Sequence, residues 1–296
     1  MEINGAIIID TFAEAFPVWV SRVVITASAR EWAYRAAAVA TGFASSRIGC
    51  PCEAGIEREL APSETPDGRP GVSILICGEK KQMKQHVASR VSQCVLPVPT
   101  ASAFDGLPGA KDRFSIRMHY FGDSFEERCM IGGRRCWKIP VMDGEYVGEE
   151  QFGTVKGIAG GNFLVMAGNR LSALAGAEAA AGAIAGMAGV ITSFPGGVVA
   201  AGSKVGSDNY RFPMPASTNH RFCPTLRERI GDSEVPDGIN AIYEIVINGT
   251  DKASIRSAMK AGIEAAAGTG SVRYIGASNF GGALGPYRLY LHDLFR

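Results

Sequence analysis

Residues 241–249 read AIYEIVING, an apolar run with a single acid, Glu244, at its centre. The run is short, rich in β-branched and aromatic residues and closed by Asn-Gly, which together mark a strand. Side chains alternate across a strand, so Tyr243, Ile245 and Ile247 share one face, and Ile242, Glu244 and Val246 share the other. A carboxylate between two aliphatic neighbours either lies on the wet face of an edge strand or has a task on a dry one. Spacing leaves both readings open. Other chemistries have less support. His86, His119, His220 and His292 are scattered, with no HExxH and no HxH, so no spacing recommends a metal centre. There is no G-x-S-x-G elbow and no intact G-x-G-x-x-G. PGGVVAAGSK (195–204) approaches a phosphate loop, but Ser203 intervenes before Lys204 and its VVAA reads as a strand.

Loops rich in Ser, Thr, Asn and Gly (FPGGVVA, PTASAFD and SKVGSDNYRFPMPASTNHRF) suit either the lining of a cleft or plain turns. Lys204, Arg211, Arg221, Arg227 and Arg229 make residues 204–229 locally basic, able to hold carboxylates or to stay solvated.

The elements that must position these groups come in two matching sets. REWAYRAAAVATG (30–42) reads as a helix ended by glycine, followed by ASSRIGCP as a strand stopped by Pro51. LSALAGAEAAAGAIAGMAG (171–189) and VITSFP repeat that pattern. GVSILICG (71–78) is a strand leading into the basic helix EKKQMKQHVASRVSQCV, and AIYEIVING leads into TDKASIRSAMKAGIEAA with Thr250 or Asp251 as N-cap. RFSIRMHYF (113–121) and SVRYIGASNF (271–280) supply the next strands. Each half therefore reads β-α-β twice, the split pattern of ferredoxin-like domains. The fold expected is α+β, two duplicated ferredoxin-like lobes at 1–150 and 151–296, each an antiparallel sheet covered by helices. The polar stretch DGEYVGEEQFGTVKG (143–157) is the expected join, and IAGGNF (158–163) and IGASNF (275–280) share Ile-x-x-x-Asn-Phe.

Composition sets the outer limits. At 296 residues with 46% hydrophobic and 20% charged residues, the chain is of globular type. A net charge of +1 gives no reason to expect nucleic acid or an anionic membrane surface. The seven cysteines include no CxxC pair, which favours free thiols in a reducing compartment. Residues 171–202 are long enough to span a bilayer, yet they are mostly Ala and Gly and are broken by Pro195. A close-packed helix followed by a strand fits them better.

Six separated stretches then carry a resemblance. DTFAEAF (10–16), ETPDGRPGV (64–72), PTASAFD (99–105), SKVGS…PASTN (203–219), YEIVING (243–249) and NFGGALG…LHDLF (279–295) stand in one order. Together they closely resemble the formylmethanofuran–tetrahydromethanopterin formyltransferase family from end to end. The resemblance implies a cytoplasmic N-formyltransferase with methanofuran and tetrahydromethanopterin as co-substrates and no metal or prosthetic group. It also implies two ferredoxin-like lobes and a homotetramer. Relatives from archaea are typically very acidic. This near-neutral chain instead resembles the version found in bacterial methylotrophs, which works with hydrolase subunits in the formaldehyde-oxidation direction on a carrier with a glutamate-rich tail.

The resemblance places a catalytic glutamate at Glu244. Burial raises a carboxylic acid's pKa, and a neutral acid can donate a hydrogen bond to a tetrahedral oxyanion. Phe194, Gly196, Gly197, Ser217, Thr218 and Asn219 are candidate cleft-lining groups, and Lys204, Arg211 and Arg221 are candidate holders of an anionic tail. Two rival readings are a carrier-binding scaffold subunit of a formyl hydrolase complex and a ligand-sensing module that uses only the fold.

Overall fold

The computed structural model describes residues 1–296, with four helices, a 15-stranded sheet and a separate two-stranded ribbon. The helices are α1 (Arg30–Thr41), α2 (Lys80–Arg90), α3 (Arg170–Ile184) and α4 (Lys252–Gly268). Polar side chains start the last two where their first N–H groups lack partners. Asn169 Oδ1 accepts from Ser172 N at 2.9 Å, and Asp251 Oδ1 accepts from Ser254 N at 2.8 Å. Asp251, rather than Thr250, is thus the cap of α4. No helix is long and apolar enough to cross a membrane.

Two strands organise the sheet because each is long enough to serve several neighbours. Phe12–Thr26 pairs with Gly71–Gly78, which in turn pairs with Glu53–Leu60, and on its other side with Ser102–Asp105. Gln151–Ala167 likewise lies between Ala241–Gly249 and Tyr274–Gly276, with Val190–Ile191 beyond Ala241–Gly249. The two strand sets follow one spatial order. They join where Val155–Ala159 pairs with Phe16–Val20, so the sheet is continuous and mixed rather than two separate antiparallel sheets. Parallel pairings occur between Gly144–Glu149 and Ser102–Asp105, and between Tyr274–Gly276 and Ala6–Ile8.

Apolar side chains from α1 and α2 pack one core with Ile25, Ile74 and Ile76, while α3 and α4 pack another with Phe163, Ile245 and Ile247. The second core also takes Ala6, Ile8, Ala13 and Ala15. Tyr287–Tyr290 completes it by pairing with Phe12–Ala15.

Several expected elements moved. The strand after α1 is Glu53–Leu60 and not ASSRIGCP, which forms turns. EAGIEREL conceals its strand character because it carries three acids, one of which, Glu57, is neutralised by Arg22 at 2.6 Å. Ser102–Asp105 takes the place expected for RFSIRMHYF, which splits into a short strand, Asp112–Ser115, and a helical turn, Met118–Gly122. Residues 143–157, the expected join, are mostly strand rather than loop: Gly144–Glu149 forms a hairpin with Arg134–Val141, and the central strand begins at Gln151. Tyr146 anchors that hairpin in the core of α1 and α2.

Candidate active site

The strand that carries Glu244 is not an edge at that point. Leu164 stands opposite Glu244 on one side. On the other, Val199 N donates to Glu244 O at 2.8 Å and Glu244 N donates to Val199 O at 2.9 Å. The wet-edge reading therefore fails, and the side chain is 2% exposed. Alternation holds as the sequence indicates: Ile245 and Ile247 enter the core, while Val246 and Asn248 share the Glu244 face and line a cleft of about 400 Å³.

Ser203 stands between the carboxyl and that cleft. Its N–H donates to Glu244 Oε2 at 2.8 Å, and its Oγ lies 2.8 Å from Oε1. Ser203 lines the cleft, whereas Glu244 itself faces a small recess of about 30 Å³ beside Val199, Gly202 and Asn219. Burial pushes the Glu244 carboxyl up to about 7, against the pull of both Ser203 hydrogen bonds. No cation pairs with it, so a proton is the cheapest way to settle its charge.

Two further acids border the cleft, and both were missed in the sequence. Glu53 enters from the first half of the chain, where Arg47 N donates to its Oε1 at 3.0 Å and Asn248 Nδ2 donates to Oε2. Burial raises its carboxyl above the ordinary range, opposed by those two bonds. Glu14 is 1% exposed and accepts from the backbone N–H groups of Phe280, Gly282, Leu284 and Gly285. Burial raises it too, but the four donors outweigh that and hold it below the usual carboxylate range.

A bulge shapes the floor. Pairing of Gln151–Ala167 with Ala241–Gly249 slips between Ile158 and Gly161. Gly160 turns there with φ +93°, and a Cβ would lie 3.0 Å from Glu14 O. Its freed N–H donates to Asn248 Oδ1 at 3.1 Å, which fixes the amide that holds Glu53. Asn162 bonds Ser278 twice, through Ser278 N to Oδ1 at 2.9 Å and Nδ2 to Ser278 O at 3.0 Å. The shared Ile-x-x-x-Asn-Phe stretches thus lie side by side across the site.

Of the residues singled out from sequence, Phe194 lines the cleft and Asn219 lines the recess at Glu244. Asn219 Nδ2 also donates to Ser278 Oγ at 2.9 Å. Gly196 and Gly197 form the turn Pro195–Gly197 behind Phe194 and do not line the cleft. Ser217 Oγ is spent on Gly206 O at 2.6 Å and Thr218 Oγ1 on Ala201 O at 2.9 Å, so both fold the loop. Lys204 is buried, with Nζ 2.7 Å from Asp208 and 3.2 Å from His220 Nδ1. Arg221 pairs with Asp232 and Glu234. Lys204 and Arg221 border a neighbouring depression of about 420 Å³ shared with Asn219 and Phe280. Arg211 is exposed on the loop between Lys204–Val205 and Ala216–Ser217, outside both hollows. In the sequence Ser203 stood out as the residue that spoils a phosphate loop and as the start of the loop SKVGSDNYRFPMPASTNHRF, and not as a partner of Glu244.

Comparison with known proteins gives the family. Family models match residues 1–141, described as formylmethanofuran-tetrahydromethanopterin formyltransferase, and residues 144–294, described as its proximal lobe. The chain is 51% identical to the Methanosarcina acetivorans enzyme of that name and 52% identical to that of Methanocaldococcus jannaschii, with all of both chains covered in each case. Its fold matches the solved Methanosarcina barkeri formyltransferase with a TM-score of 0.96, 50% identity and full coverage of both chains. It also matches a chain of the formyltransferase/hydrolase complex from Methylorubrum extorquens, solved with methylofuran, at a TM-score of 0.94 and 39% identity, covering 100% and 99% of the two chains. Identity is 50–52% to the Methanosarcina and Methanocaldococcus proteins and 39% to the Methylorubrum chain. With both halves matched and full-length identity near 50%, the chain belongs to the formylmethanofuran–tetrahydromethanopterin formyltransferase family.

Proposed function

We propose that this formyltransferase moves its formyl group between methanofuran and tetrahydromethanopterin with a protonated Glu244 as the source of the donor that meets the developing oxyanion. Attack by the accepting amine forms a C–N bond and sends the carbonyl electron pair onto oxygen. Collapse returns that pair, breaks the other C–N bond and leaves one proton to pass from the attacking to the departing nitrogen. In the protonated state Oε1–H donates to Ser203 Oγ, freeing the Ser203 hydroxyl proton to point into the cleft. A donor fixed in a dry site needs no reorganisation when the charge appears, and losing one costs about 2.7–4 kcal/mol, or roughly 10²–10³ in rate. Alignment of two large carriers in one cleft supplies the rest, about 7–11 kcal/mol for well-oriented reactants.

The observation that carries this reading is a carboxyl 2% exposed, without a cationic partner, bonded to a serine that lines the cleft. A stopped formyl-transfer assay tests it. Glu244→Ala is expected to lose about 10²–10³ in kcat, and Glu244→Gln, which keeps a donor, much less. Wild-type turnover by Glu244→Ala would remove the role. If the wild-type chain bound methanofuran tightly without turnover, the scaffold reading would replace it.

The finer architecture belongs to the same proposal. The matching strand orders around α1–α2 and α3–α4 support two duplicated ferredoxin-like lobes, 1–150 and 151–296, with residues 6–15 packed into the second core. Exposed Tyr120, Phe121, Phe125 and Met130 support a homo-oligomer, tetrameric as the family resemblance implies. The likeness to a complex-borne relative supports association with hydrolase subunits, and the formaldehyde-oxidation direction is the one the family resemblance implies. Seven free thiols support a cytoplasmic location. Phe194 and Asn219 are assigned to substrate contact, Lys204 and Arg221 to an anionic tail in the adjacent depression. Arg211 is an outer contact for that tail, and Gly196, Gly197, Ser217 and Thr218 shape the loops around it.

A further inference from the structure

Glu53 has no part in that mechanism, yet it is buried on the wall of the same cleft. A carboxylate offers roughly four lone-pair sites, and Arg47 N and Asn248 Nδ2 occupy two of them. Asn248 stands four residues beyond Glu244 on one strand face, which separates their Cα atoms by about 13 Å. Ser203 at the Glu244 end and Glu53 beside Asn248 therefore stand toward opposite ends of the strand face that lines the cleft. Ile48, Phe194, Val246 and Phe280 give the space between them apolar walls.

We propose that Glu53 is a specificity-determining residue that accepts hydrogen bonds from the 2-amino group and adjacent ring N–H of the reduced pterin. The proposal rests on the formyl-transfer reading above, which puts the reacting nitrogen at the Glu244 end. The pterin presents two neighbouring N–H donors on one edge, a match for one carboxylate. The aminomethylfuran head of the other carrier has no such pair. A buried acid with unused acceptor sites also rejects a ligand that cannot fill them, which is how such a site discriminates.

The test compares tetrahydromethanopterin with its 2-deamino analogue on wild type and Glu53→Gln, by formyl-transfer kinetics and by direct titration of pterin binding. Glu53→Gln is expected to raise the KM and Kd for tetrahydromethanopterin roughly 10–100-fold, the worth of a hydrogen bond to a charged group, leaving the formylmethanofuran KM unchanged. Removal of the 2-amino group is expected to cost wild type a similar factor and the variant almost nothing, since the two changes delete one interaction. Equal losses from deamination in both proteins would overturn the proposal, as would a rise confined to the formylmethanofuran KM. Glu53→Asp, which retains charge but withdraws the acceptor, carries the same comparison if Glu53→Gln does not fold. A wild type that binds tetrahydromethanopterin and discriminates through Glu53 but transfers no formyl group would break the reading of the reaction and leave this one standing.

Discussion

Glu14 and Glu244 are both sealed from water beside one cleft, at 1% and 2% exposure, yet their surroundings drive them to opposite charge states. Glu14 meets four backbone N–H groups from one loop, enough to hold an anion. Glu244 meets one N–H and one hydroxyl, and burial prevails. Low exposure alone does not set the charge of an acid: Glu14 lies less deep than Glu244 and has more donors aimed at it, and both differences favour its anion. The first acid is a clasp that folds the loop 280–285 onto the sheet. The second is a reservoir for a proton.

The largest effect should come from breaking the clasp. Glu14→Ala leaves up to four N–H groups without an acceptor, at about 1–3 kcal/mol for each that stays buried. A stability loss of at least ~3 kcal/mol in urea unfolding is expected, and a loss below ~1 kcal/mol would show that the loop does not depend on the carboxylate. Next comes the pH dependence. The folded-state pKa of Glu244, about 7, lies above an ordinary value of 4.5, so the folded form binds the extra proton between those limits. Its contribution is therefore complete below about pH 4.5 and is lost as pH rises through 7, an amount on the order of 3 kcal/mol. Glu14 works in reverse, its contribution being lost as pH falls below the carboxylate range. Glu244→Gln should remove the alkaline loss from unfolding curves taken between pH 5 and pH 9 (roughly the window of maximal stability and just beyond it). The same titration should make wild-type kcat decline above about pH 7 and leave Glu244→Gln flat.

The smallest pKa shift sharpens the comparison from the donor side. Ser203→Ala deletes the hydroxyl but keeps the N–H, so the Glu244 carboxyl loses one of two groups that pull its pKa down. The alkaline limb of the rate that remains should move upward by less than about one unit, while kcat itself falls by about 10²–10³ because that hydroxyl is the donor to the oxyanion. A downward shift would mean that Ser203 does not favour the anion.

What could be read without coordinates followed the range of the interactions. Alternation along AIYEIVING is local, so the face of Glu244 was legible, as were α1, α2 and the strand Gly71–Gly78. Glu14 was not, because its acceptor role is set by a loop 266 residues away that no spacing rule connects. Glu53 hid within EAGIEREL, whose charges read as surface until Arg22 and Asn248 reach across to them. The serine and threonine of PASTN drew attention as binding groups, yet both spend their hydroxyls on loop carbonyls, which composition cannot reveal.

Residues 6–15 belong to a core otherwise built from α3, α4 and the last strand of the chain. During synthesis that segment emerges early and must wait, its apolar side uncovered, until nearly everything else has left the ribosome. Contacts so distant make assembly slow and leave an interval open to aggregation or chaperone capture. The two halves, for all their shared pattern, should not be separable by cutting near residue 150. A C-terminal fragment would lack its own outer strands, and adding a peptide that spans residues 1–16 should restore its folding.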